Sequence, residues 1–257
     1  MMKDLLIFLH LPKTAGTSFM TAMQTLLPAD QRLMVYGADR TSHMIARDVE
    51  SLTAAQRDSI RFISGHQVWY GIHELFPGRT PRYVTFLREP VARIISDYYK
   101  ILRTPTNQYH ERMTRENTSL EEFLRGDVSP KVVNHMTVML GRDVVTPDHN
   151  SERCVLDDPA LLDRAAENLR RFWFVGLTES YGADLARICD LTGLKIDELT
   201  INQRPAHQME DVSPDLFELA ARAHRMDAQL YDLAVRLHRA QTPDALFEAA
   251  PELSASA

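Results

Sequence analysis

The sequence predicts an α/β three-layer sandwich, a central and mainly parallel sheet flanked by helices, and three stretches carry that expectation. Leu5–Leu11 is an almost wholly apolar run closed by Pro12, the pattern of a strand buried on both faces of a parallel sheet. Arg82–Leu87 and Phe172–Leu177 are two more such runs. Each is followed by apolar residues at three- and four-residue spacing: Phe19, Ala22, Met23 and Leu26 after the first, Val91, Ile94, Ile95, Tyr98 and Leu102 after the second, and Glu179–Leu191 after the third. Strand then helix, repeated, is the unit from which parallel sheets are built. The 257 residues suffice for one such sheet covered on both faces, so residues 1–241 are expected to form a single domain and 242–257 a frayed, Ala-rich tail.

The first strand-to-helix turn reads Pro12-Lys13-Thr14-Ala15-Gly16-Thr17-Ser18. A strand end, a small-residue loop and a helix N-terminus make an anion site, because unpaired N–H groups and the positive end of the helix dipole converge there. Lys13 adds a full charge, and Thr14, Thr17 and Ser18 add hydroxyls. The triphosphatase loop G-x-x-x-x-G-K-[ST] sets its lysine directly after the last glycine; here the lysine stands three residues before Gly16. The second turn carries Arg88 at a strand's carboxyl end, Pro90 at a first helical position, and Ser96 two turns on. Ligands of open parallel sheets bind beyond the carboxyl ends of strands, so Lys13 and Arg88 are placed to hold two separated phosphates of one nucleotide.

The pair His10-Leu-Pro-Lys-Thr-Ala-Gly-Thr-Ser-Phe19 and Leu87-Arg-Glu-Pro-Val-Ala-Arg-Ile-Ile-Ser-Asp-Tyr-Tyr99 resembles the two cofactor motifs of sulfotransferases, most nearly the Golgi-type branch that includes the heparan sulfate and uronyl 2-O-sulfotransferases. Ser64-Gly65-His66, Asn134–Thr137, Phe174–Glu179 and Met226–Tyr231 extend the likeness over most of residues 5–238. The resemblance implies a P-loop-type fold and sulfuryl transfer from 3′-phosphoadenosine 5′-phosphosulfate (PAPS), a co-substrate, to an acceptor hydroxyl on a carbohydrate, without a metal. It implies that Pro12, Lys13, Thr14, Ala15, Gly16, Thr17 and Ser18 cradle the 5′-phosphosulfate, that Arg88 and Ser96 hold the 3′-phosphate, and that Lys13 stabilises the leaving phosphate. The family's pattern at Ser64-Gly65-His66 is commonly His-Gly-His, with a histidine as base; here only His66 remains for that role, with Glu89 and His135 in reserve. Two rivals stand beside this reading: a kinase using ATP and magnesium, and a non-catalytic nucleotide-binding module that has lost its base.

Composition narrows the classes. The net charge of −6 gives no reason to expect nucleic acid as partner, although residues 79–116 hold eight basic against four acidic side chains, a bias that suits an anionic ligand. Cys154 and Cys189 are far apart and lack metal spacing, which argues for a reducing compartment. No run reaches the ~18 apolar residues of a membrane span, and no secretory leader opens the chain, so a cytoplasmic, bacterial-type enzyme without a membrane anchor is expected. Along the rest of the chain, residues 67–81 read either as an aromatic acceptor-lining loop or as a cover over the core. Residues 103–117 read as a surface loop. Ser119–Glu122 reads as a capping box, and one long last helix is expected from Ser213-Pro214, with His224 and His238 packed or solvated.

Overall fold

The computed structural model describes residues 4–37, 41–128, 133–142, 158–192 and 212–241. Five strands among them, β1 (Asp4–Leu9), β2 (Arg32–Met34), β3 (Phe62–Gly65), β4 (Thr80–Leu87) and β5 (Phe174–Leu177), form one sheet in the order β2-β3-β1-β4-β5, every neighbouring pair parallel. Leu5 to Leu9 of β1 are all fully buried, and their alternation separates two cores. Leu5, Ile7 and Leu9 meet Ile63, Tyr83 and Val175 on one face; Leu6 and Phe8 meet Phe62, Val84, Phe86 and Phe174 on the other. The first face is covered by α2 (Ser42–Glu50), α7 (His135–Gly141), α8 (Pro159–Arg170) and α11 (Arg225–Ala240), the second by α1 (Gly16–Leu26) and α9 (Tyr181–Thr192). The expected three layers are there.

From β1 the chain runs to β2 and β3 on one side, then crosses to β4 on the other. That reversal makes the carboxyl ends of β1 and β4 a topological switch point, where parallel sheets open a crevice. Above it runs α4 (Pro90–Leu102), with Pro90 at its first position as expected. Its apolar face, Val91, Ile94, Ile95, Tyr98 and Ile101, packs into a third cluster. The partners there come from α5 (His110–Arg115), α6 (Leu120–Arg125) and α10 (Pro214–Ala223).

Four elements depart from the sequence reading. β2 has three half-buried residues, too few to show a period. α2 is held by the cap of Thr41 and sends only Ile45 and Val49 to the core, whereas the short helix that the sequence suggests at Thr53–Arg57 is present as α3 (Ala54–Ser59), capped by Thr53. The stretch 103–117 is not all loop, because α5 buries Met113. The long last helix is broken at His224 (φ −105°, ψ 32°), which is fully buried. There Asn134 (φ 48°) accepts from the backbone N–H of Met226 and Asp227, while Asp227 accepts from Met136 N, Thr137 N and the Thr137 hydroxyl. Buried side chains thus take the place of missing helical bonds. Two of the motif matches, Asn134–Thr137 and the first two residues of Met226–Tyr231, meet at this junction of α7 with α11. The capping box at Ser119 and Glu122 is formed as read. The 242–257 tail, Cys154 and Gly193 lie outside the described residues.

Candidate functional site

The loop after β1 is bent hard. Lys13 (φ 71°) and Ala15 (φ 63°) both adopt left-handed backbone, although neither is glycine. Each such residue costs about 1–3 kcal/mol, and strain of this kind collects at binding loops. Left-handed residues set between right-handed ones turn successive N–H groups to one side, the concavity that receives anions. No acidic residue stands in the first turn of α1, so the positive end of that helix is not offset there. Gly16 is required by its neighbours: a Cβ there would lie 2.5 Å from His10 Cδ2 and 2.7 Å from Phe8 Cζ. Thr14 corrects the sequence reading in part, since its fully buried hydroxyl donates to Leu11 O at 2.9 Å. It braces the loop from within, leaving its backbone as the group placed for a ligand. Thr17 is exposed, and Pro12 and Ser18 are half-buried on the same turn.

Arg88 closes on this loop, donating from Nη1 to Lys13 O at 3.4 Å. The two strand ends singled out by their charges are therefore in contact. Burial lowers the Arg88 guanidinium pKa, and Glu179 and Glu89 oppose that shift. Glu179 also accepts from Glu89 N at 2.9 Å, which fixes the turn. Glu89 is spent as a cap, its two carboxylate oxygens accepting from Val91 N (3.0 Å) and Ala92 N (2.6 Å). That arrangement argues against it as a reserve base. On α4 the residues at i, i+4 and i+7, namely Arg93, Asp97 and Lys100, stand on the face opposite the apolar one, beside half-buried Ser96. Burial raises the Asp97 carboxyl, while Arg93, Lys13 and Lys100 pull it down. Lys100 in turn acts on His10 and His66. Asp97 and Lys100 are thus electrostatic neighbours of the Lys13 loop and of the two histidines, whereas in the sequence they enter only the charge count over 79–116.

His66 stands at the third strand end. Its Nδ1 lies 2.7 Å from His10 O, and a carbonyl can only accept, so Nδ1 carries the proton and Nε2 keeps its lone pair. Burial lowers the His66 pKa; the bond to His10 raises it, and the charges of Arg142 and Lys100 lower it. The ring is neutral at pH 7. Arg142 fixes the loop beneath it by donating to His66 O and to Val68 O at 2.6 Å. Ser64, fully buried, bonds Tyr36 OH at 3.1 Å. His135 opens α7 at its junction with α11.

Two sequence readings resolve toward the plainer alternative. In residues 67–81, Trp69, Ile72 and Phe76 are buried in the core, and Tyr83 OH accepts from Gly71 N at 2.9 Å, so this loop is a cover. The basic excess is largely structural: Arg79 donates to Ile60 O and Asp4 O, Arg82 pairs with Asp4, and Arg112 and Arg115 pair with Glu116 and Glu111. Of the other four, Arg88 contacts the Lys13 loop, Lys100 acts on His10 and His66, Arg93 is buried and acts on Asp97, His224 and Asp227, and Arg103 closes α4. Among the described residues no group of His, Cys, Asp and Glu is placed to hold a metal ion, and no helix is long and apolar enough to cross a membrane.

A parallel sheet whose switch point joins a strained, left-handed loop to an arginine on the next strand end defines the class, an α/β protein with a cationic crevice at its strand ends. The model of the sulfotransferase family matches residues 2–234, and the chain belongs to that family. It is 25% identical to heparan-sulfate 6-O-sulfotransferase 2 of Gallus gallus over 217 residues, an alignment covering 68% of this chain and 52% of that protein. The chain thus spans about half the length of the curated relative it matches. The family expected from the motifs is borne out; the relative found is a 6-O- rather than a 2-O-sulfotransferase.

Proposed function

We propose that the chain transfers the sulfuryl group of PAPS to a hydroxyl of a carbohydrate acceptor. The observation that carries this is the contact between Arg88 and the Lys13 loop, which brings two cationic, N–H-rich strand ends to one crevice. Their donor set fits a nucleotide with two separated phosphates. The loop from Pro12 to Ser18 receives the 5′-phosphosulfate through its N–H groups and the Lys13 ammonium. Arg88 and Ser96 hold the 3′-phosphate. PAPS supplies an activated sulfuryl group, so the protein's work is positioning and charge stabilisation. Lys13 neutralises charge that develops on the bridging oxygen of the leaving phosphate. His66 Nε2 takes the proton of the acceptor hydroxyl as its oxygen bonds to sulfur and the sulfur–phosphate oxygen bond breaks. The products are a sulfate ester and 3′-phosphoadenosine 5′-phosphate. A sugar acceptor follows from the name of the Gallus gallus relative, which acts on heparan sulfate by that name.

The test is an acceptor screen with sulfur-labelled PAPS against glycans, phenols, lipids and amines. Label entering a glycan supports the proposal. PAPS bound with no transfer across the panel would instead mark a binding module, and phosphoryl transfer from ATP with magnesium a kinase.

Arg88→Ala and Ser96→Ala are expected to weaken PAPS binding about ten- to a hundredfold, the scale of a charge-assisted contact worth roughly 1.5–3 kcal/mol. Adenosine 5′-phosphosulfate, which lacks the 3′-phosphate, is expected to lose little. Calorimetry with both ligands checks this, and equal losses would make the two residues supports of the fold.

A further inference from the structure

Between the ends of β1, β2 and β3 lies a hydrogen-bonded cluster that no motif predicts, centred on Tyr36. Its hydroxyl donates to Met20 Sδ at 2.8 Å, and a thioether can only accept. The tyrosine's single proton is thereby used. Its bonds to Ser64 Oγ (3.1 Å) and His10 Nδ1 (2.9 Å) are then received, the serine and the imidazole donating. One oxygen thus ties α1, β1 and β3 together. His10 is further clamped by Phe8, stacked at 5.1 Å and 19°. Its other ring nitrogen points at the start of α1, where a Cβ on Gly16 would lie 2.7 Å away. The His66 imidazole packs against both of these side chains, 4.6 Å from the His10 ring and 5.0 Å, edge-on, from the Tyr36 ring.

We propose that Tyr36 is a positioning residue for His66: its hydroxyl locks the His10 ring, and the two rings wall the His66 imidazole in the orientation that bonds His10 O and leaves Nε2 for the acceptor. This deepens the sulfuryl-transfer reading and rests on it for the role of Nε2, while the placement of the ring is independent of the reaction. The walls are kept uncharged. Burial, and the charges of His66 and Lys100, hold the His10 pKa down to about 3, and burial pushes the Tyr36 phenol up to about 12. The groups facing His66 are then neutral His10 from the end of β1, neutral Tyr36 after β2, cationic Lys100 from α4 and cationic Arg142 after α7. Both cations oppose a charged imidazole, and the walls exclude the water that would solvate one. Ser64, where the family commonly has a histidine, acts here by donating to the same phenol.

The decisive variant is Tyr36→Phe, which keeps the ring and removes the oxygen. Ring-nitrogen NMR on labelled protein, with the His66 signals assigned by their loss in His66→Gln, reads tautomer and titration directly. Wild type is expected to show His66 with its proton on Nδ1 and a pKa below the ordinary 6.5. In Tyr36→Phe, water reaches the loosened ring, the tautomers mix and the pKa rises toward 6.5, with the melting temperature within a few degrees of wild type. In parallel kcat at pH 7 falls about tenfold, its acid limb moves to higher pH, and Tyr36→Phe/His66→Ala is no slower than His66→Ala alone. An unchanged His66 tautomer and titration would overturn the proposal. If sulfuryl transfer itself is the wrong reading, the kinetic arm is blank and the NMR arm still decides. Should Tyr36→Phe not fold, Ser64→Ala removes one bond to the same oxygen: a smaller pKa shift in the same direction supports the proposal, and an unmoved titration overturns it.

Discussion

Lys13→Ala leaves the fold intact and lowers kcat about a hundredfold or more, the scale for losing a charge partner of the transition state. The residue sits in the left-handed backbone of the anion loop, with the carboxyl end of β4 against its carbonyl. Asp97 is its electrostatic neighbour on α4, and Arg93 and Lys100 remain to balance that carboxyl when the ammonium is removed. Alanine inherits the same φ, so the backbone cost is common to both proteins and the difference isolates the side chain. Single-turnover kinetics with PAPS in excess separates this loss from weaker binding. Near-wild-type turnover would make Lys13 a solvated loop residue.

His66→Ala keeps PAPS affinity within a few-fold while kcat falls by a hundred- to ten-thousandfold, the range for a lost general base. From sequence alone the acid limb of the rate is expected near pH ~6–7. Burial of His66 moves that expectation downward, because the charged ring is disfavoured in the folded protein. Activity therefore falls as pH drops through a value below 6.5, and His66→Ala lacks that limb. The fold weakens over an overlapping range. His10, held to about 3 in the folded protein, would take up a proton near 6.5 when unfolded, so its contribution to stability is complete above 6.5 and is lost as pH falls toward 3. Melting curves at each pH keep the two effects apart. Retained activity with an unchanged pH profile would place the base elsewhere.

The sheet was legible because β1, β4 and β5 are buried on both faces, which writes continuous apolar runs into the chain. β2 and α5 were not, since each sends few side chains to the core and leaves no period to read. The break at His224 was hidden for another reason: the bonds that replace helical ones come from Asn134, about ninety residues earlier in the chain. At the site, charge and loop chemistry marked Lys13, Gly16, Arg88 and His66. They could not mark Tyr36, whose hydroxyl gains its meaning only when three strand ends meet. Nor could they show that Glu89 is a cap or that the Thr14 hydroxyl is turned inward, because orientation is set by the folded backbone.

In the proposed reaction one crevice reads two phosphates of one nucleotide through Lys13 and Arg88. Calorimetric titration of the chain with PAPS, adenosine 5′-phosphosulfate and ATP, each with and without magnesium, tests it most directly. The prediction is tight PAPS binding that does not require magnesium, with adenosine 5′-phosphosulfate weaker by the tenfold or more that the 3′-phosphate contributes and ATP weaker still. ATP binding more tightly than PAPS, and only with magnesium, would contradict it.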